Sequence, residues 1–179
     1  RTDGRPCIKV LDFGSAKLPI FDLEATRLTT SKAMMGTARY ASPEQLQDAH
    51  SAGVPSDIWS LGATLFELIA GRPAFPAASV PKILLDVLTS SAPSLLEHRQ
   101  DVPEGLAKVV ARCLCKAPAD RYSSVVELAR ALAPYGPADA SSLVATVIRV
   151  ATRAGNGRAV IAPTSDDQSD AFSKTDRET

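Results

Sequence analysis

The chain has 179 residues, 45% of them hydrophobic, enough for one domain with a sizeable core plus a tail. Twenty basic and twenty acidic residues leave no net charge and no basic stripe to neutralise a run of phosphates, which argues against nucleic acid as a partner. Three cysteines without a CxxC pair and only two histidines give no closed metal site and read as a reduced, cytoplasmic protein. The first residue is Arg1, and no signal peptide opens the sequence, so we read the chain as a piece of a longer polypeptide.

Thr2 to Pro6 carry Asp-Gly turn chemistry, and Cys7-Ile8-Lys9-Val10-Leu11 is an apolar run with β-branched residues. Together they predict a short β-hairpin closing into a strand that ends at Asp12. Residues 15 to 42 have many hydroxyls (Thr26, Thr29, Thr30, Ser31, Thr37) and no sustained period, as in a long mobile loop. From Asp57 to Ala70 the chain is apolar almost all round and then meets Gly71, which predicts a buried helix ended by a glycine. It is shorter than the roughly 20 residues that cross a bilayer, and it carries Asp57 and Glu67, so no membrane span is expected in this segment.

Three more helices are expected, at about Pro81 to Thr89, Pro103 to Cys115 and Val125 to Ala133. Cys113 and Cys115 would point to different faces of the second and serve as core filler. Ser124 and Glu127 open the third with the spacing of a reciprocal capping box, and Pro134 and Gly136 close it. Within residues 137 to 161, the spacing of Val144, Val147, Ile148 and Ala151 suits a short surface helix at Leu143 to Ala151. Pro163 to Thr179, with five acidic and two basic residues and almost nothing to bury, should be disordered.

Three blocks stand in order: Asp12-Phe13-Gly14, then Gly36 to Glu44 (Gly-Thr-Ala-Arg-Tyr-Ala-Ser-Pro-Glu), then Ser56-Asp57-Ile58-Trp59-Ser60-Leu61-Gly62. In combination they resemble the back half of a eukaryotic-like protein serine/threonine kinase domain, from the Asp-Phe-Gly element onward. Ser-Pro-Glu-Gln and the Ala/Arg-rich helices lean toward the bacterial type. The resemblance implies a mainly α fold, the helical C-terminal lobe of a kinase with a short hairpin at its start and the N-terminal lobe absent. It covers residues 1–135 as a partial kinase domain and leaves 136–179 as linker and tail, largely disordered.

The resemblance also implies roles. Asp12 would ligate Mg2+ beside ATP, with Phe13 packing beneath it and Gly14 giving the loop room to move. Thr37 would hydrogen-bond the catalytic carboxylate and mark serine/threonine specificity; the plainer alternative is a turn threonine. Ser42-Pro43-Glu44 matches the family's Ala-Pro-Glu element, a serine-for-alanine swap that should be harmless. Glu44 would pair with Arg121 in a largely buried, structural ion pair, against the alternative of two unrelated surface charges. Asp57 would accept amide bonds from the catalytic loop, or simply favour the start of its helix through the macrodipole. Thr29, Thr30 and Ser31 are the regulatory phosphorylation candidates, with Thr26 weaker. Trp59 and Phe66 read as core.

Only eleven residues precede Asp12, and the glycine-rich loop, the phosphate-binding lysine and the His-Arg-Asp loop are not among them. The expectation is therefore an enzyme fragment inactive by itself and poorly soluble or molten. In the intact parent the reaction would be Mg2+-dependent transfer of the ATP terminal phosphoryl group to serine or threonine of a protein substrate in signalling. Two rivals remain: a non-catalytic kinase-like module that binds a partner through the apolar helix, and a truncated, nonfunctional product.

Overall fold

The computed structural model describes residue 36 and residues 38–48 and 51–156, the last three as backbone only. The expected hairpin, the strand ending at Asp12, the loop hydroxyls and the acidic tail lie outside the described residues. Among the described residues the fold is all helix and turn, as the mainly α expectation requires. Among the described residues, the α-helices whose bounds are defined are, in order, α1 Pro43–Gln47, α2 Val54–Ala70, α3 Val80–Thr89, α4 Glu104–Cys113, α5 Val125–Leu132 and α6 Ala140–Asn156. Single 3-10 turns stand at Leu95–Glu97, Pro118–Asp120 and Ala133–Tyr135.

α2 is the central element. It starts three residues before Asp57 because Gly53 is extended and Pro55 fits the first turn, where its missing N–H is no loss. It stops where expected, at Gly71, whose φ of 71° places it in the left-handed region and whose N–H reaches Glu67 O at 2.8 Å. One face is fully buried: Trp59, Ala63 and Phe66 join Phe75, Ile83, Val87, Val110 and Leu114 in the main core. Ile58 sits instead in a smaller cluster with Val109, Cys113, Tyr122 and Leu128. The opposite face is open, with Leu61 46% and Leu68 75% exposed, so α2 is not covered all round as its composition suggested.

α4 crosses α2 at Gly62. A Cβ there would sit 2.4 Å from Cys113 Cβ, closer than real atoms approach, so only glycine permits this crossing. Cys113 is sealed in the contact, and burial first of all pushes its thiol up to about 12. Cys115 is half-buried and donates to Ala111 O, so the two cysteines do divide between environments.

The start of α5 differs in detail from the reciprocal box. Ser124 Oγ accepts from Glu127 N, but the Glu127 carboxylate reaches one residue further, to the Ser123 N–H and hydroxyl at 2.8 and 2.9 Å. Its second oxygen pairs with Arg112 at 3.0 Å, which holds the side chain away from the Ser124 amide. Burial and the spacing of the 137–161 stretch agree: Val144, Val147, Ile148 and Ala151 are the half-buried positions of α6, which packs on α5 and the Ala133–Tyr135 turn. The helix, Ala140–Asn156, begins three residues before the short surface helix expected and ends five residues after it; at its start Ala140 is buried and extends the same face. Tyr135 closes this end of the molecule by lying on Gly105 of α4, where a Cβ would fall 1.9 Å from its hydroxyl oxygen.

Candidate functional site

The segment from Ala38 to Gln47 is held on α2 and on Arg121, and it is the part of the molecule where the singled-out motifs converge. Ala38, Ala41, Ser42 and Leu46 are buried. Ser42 caps α1: its hydroxyl accepts from Gln45 N at 3.4 Å while the Gln45 amide oxygen accepts from Ser42 N at 3.0 Å, with Pro43 in the first turn. Thus Ser42 does more than fit a small space. The sequence carried this capping signal in Ser42-Pro43-Glu44-Gln45, but a five-residue helix shows no periodicity to attach it to.

The cap aims Glu44 inward, where Arg121 grips it through both carboxylate oxygens, at 2.7 and 2.9 Å. The Arg121 side chain is fully buried and that of Glu44 is 15% exposed. The remaining guanidinium N–H groups go to Pro55 O, Lys116 O and Cys115 O at 2.8–2.9 Å, so every donor of the fork has an acceptor. Ser56 donates to Glu44 Oε1 at 2.8 Å. Burial alone would raise the Glu44 carboxyl, but the hydrogen bonds from Arg121, its own backbone N–H and Ser56, with the guanidinium charge, outweigh it and hold it down to about 2. The two charges, 77 positions apart in sequence, therefore tie the segment to α2 and to the turn beyond α4 at one point.

Tyr40 makes the second tie. Its hydroxyl donates to Glu67 Oε2 at 2.7 Å, and its carbonyl accepts from Ser60 Oγ at 2.8 Å. The hydrogen bond to Glu67, then burial, raises the Tyr40 pKa. Tyr40 lies inside the Gly36–Glu44 block and Glu67 is one of the charges of the apolar helix, but the sequence gives neither a role, since nothing in their spacing pairs them. Below them the Trp59 ring stacks on Phe75 at 5.9 Å, with the Arg121 guanidinium carbon 5.0 Å from its centroid, so Trp59 and Phe66 are core as read.

Asp57 lies in the first turn of α2 with its side chain exposed, and it accepts no side-chain hydrogen bond among the described residues. It is not brought to the Glu44–Arg121 point. Asp12, Phe13, Gly14, Thr29, Thr30, Ser31 and Thr37 are outside the described residues, so the groups assigned to Mg2+ and ATP are not among those the structure places. Among the described residues no group of three or more His, Cys, Asp or Glu side chains could hold a metal ion. No described helix is long and apolar enough to cross a membrane.

The family profile described as protein kinase domain matches residues 2–132. Among curated proteins, the chain is 38% identical over 121 residues to a probable serine/threonine-protein kinase PknB of Lactococcus lactis, covering 68% of this chain and 18% of that protein. It is 34% identical over 121 residues to serine/threonine-protein kinase PrkC of Bacillus subtilis, with the same coverage of 68% and 18%. Serine/threonine-protein kinase A of Synechocystis is 35% identical over 126 residues, covering 70% of this chain and 23% of its own length. The chain thus spans about a fifth of the curated relatives it matches. With the match running from residue 2 through the Glu44–Arg121 tie to the end of α5, this chain belongs to the protein kinase domain family.

Proposed function

We propose that this chain supplies the activation segment and helical lobe of a serine/threonine kinase whose intact form transfers the terminal phosphoryl group of ATP to a protein hydroxyl. The observation that carries the reading is the bidentate, buried Glu44–Arg121 pair, which fixes the end of the segment that would otherwise be a solvated loop. A segment anchored at that end is suited to presenting a protein substrate and to control by added charge. In this reading Asp12 holds Mg2+, Phe13 and Gly14 shape the loop around the nucleotide, and Thr37 orients the catalytic carboxylate. Thr29, Thr30 and Ser31 are the proposed phosphoacceptors, and a protein in the cytoplasm is the proposed substrate. When bound, Mg2+ and ATP supply the charge neutralisation and the transferred group.

The open face of α2, with Val54, Leu61 and Leu68 exposed, favours a second reading as a non-catalytic kinase-like module that binds a partner there. A chimera distinguishes the two. Residues 2–132 replace the corresponding stretch of the Bacillus subtilis relative, and phosphoryl transfer from ATP to a generic protein substrate is measured. Transfer that is lost on Asp12→Asn is the expected result. A folded chimera without transfer sinks the catalytic reading.

A further inference from the structure

Among the described residues two arginines are not exposed to solvent, and they are opposites. Arg121 has an acceptor for every donor of its fork. Arg39 is half-buried, and its Nε is shut off from solvent without a hydrogen-bond acceptor. No described residue pairs with its guanidinium, and the carboxylates that hold this segment are committed elsewhere: Glu67 Oε2 accepts from Tyr40, and Glu44 is filled by Arg121 and Ser56. A guanidinium cannot shed its charge, and a buried donor is expensive to leave unmade.

The backbone that carries Arg39 is fixed on both sides. Ala38 is buried before it; after it, Tyr40 is held by its hydroxyl on Glu67 and by its carbonyl on Ser60, and Ala41 and Ser42 are buried. Arg39 stands between Thr37 and Glu44, in the segment proposed above to present a protein substrate. A cation in a fixed place, with an unfilled donor and no anion of its own, is prepared for an anion that arrives with another molecule.

We propose that Arg39 is a specificity-determining residue: its guanidinium receives an aspartate or glutamate carboxylate close to the phosphoacceptor of the protein substrate, so that acidic substrates are selected. The inference rests on the kinase reading above. Nε and the Nη on the same edge of the guanidinium offer two parallel N–H groups, whose spacing matches the two oxygens of one carboxylate. A lysine or arginine of a substrate brought to the same place is repelled, so the residue rejects as well as selects.

Two measurements test this. In the 179-residue chain, the 15Nε–1H signal of Arg39, assigned through its own side-chain carbons, is followed as serine peptides are added to about 1 mM in about 150 mM salt. The peptides carry Glu, Gln or Lys at successive positions around the serine. At one position the Glu peptide should move the signal while the Gln and Lys peptides leave it in place; a signal that no Glu peptide moves overturns the proposal. In the chimera described above, kcat/KM for that Glu peptide should exceed kcat/KM for its Gln counterpart by about tenfold, through KM. Arg39→Gln should abolish the difference, and Arg39→Glu should turn the preference toward Lys. A preference for Glu that survives in Arg39→Gln overturns the proposal, and so does an equal loss on every peptide, since Arg39 would then serve the segment itself. A chimera without transfer sinks the kinase reading alone, and the Arg39 signal then decides whether this residue takes a carboxylate.

Discussion

Arg121 shows how much one side chain can organise when none of its N–H groups is idle. Lysine at this position keeps the charge but has neither the fork nor enough donors for Glu44 Oε1, Glu44 Oε2, Pro55 O, Lys116 O and Cys115 O together. Arg121→Lys should cost about 2 kcal/mol in denaturant unfolding. Glu44→Gln, which leaves the buried guanidinium without its counter-charge, should cost about 3 to 5 kcal/mol. Acid acts on the same carboxylate. Because Glu44 is held down to about 2 from an ordinary 4.5, its contribution is complete above pH 4.5 and is lost as pH falls through about 2. Stability measured from pH 5 to pH 2 should therefore fall more steeply in the wild type than in Glu44→Gln. The pair was legible in the sequence only through family resemblance, since no local period or spacing relates positions so far apart. The Tyr40–Glu67 and Lys116–Trp59 contacts were not legible at all, because each is made by tertiary placement of residues with no pattern of their own.

At the scale of elements, the helices that the sequence announced most clearly were those with both a periodic face and a terminal signal. α2 ends at its glycine and α5 opens at Ser124, as the capping chemistry requires. α1 escaped notice although its cap is complete, because five residues fit no repeat; Ser42→Ala should still cost about 1 kcal/mol of stability. The crossing of α2 and α4 was hidden for a different reason. A glycine inside a helix lowers expected helicity by sequence alone, and only the 2.4 Å approach to Cys113 explains its presence. Gly62→Ala should destabilise by about 1 to 3 kcal/mol, and Cys113→Gly in the same chain should recover part of the loss of midpoint in urea. The two sides of α2 should also respond differently: Phe66→Ala should cost about 3 to 5 kcal/mol, whereas Leu68→Gln, at an exposed position, should stay within about 0.5 kcal/mol.

For the whole molecule, the division between body and tail expected near residue 135 does not coincide with the end of ordered packing, because α6 continues the helical stack past it. The reason is physical: Val144, Val147, Ile148 and Ala151 make one half-buried face on a helix that packs on α5 and the Ala133–Tyr135 turn, a match invisible when each stretch is read separately. The sealed position of Cys113 has a practical consequence. A thiol with no surface and an ionisation pushed to about 12 does not meet an alkylating reagent until α2 and α4 part, whereas half-buried Cys115 needs only a local excursion. The rate at which the peptide mass for Cys113 grows in iodoacetamide is thus a clock for separation of the two central helices, built into the native chain without any label.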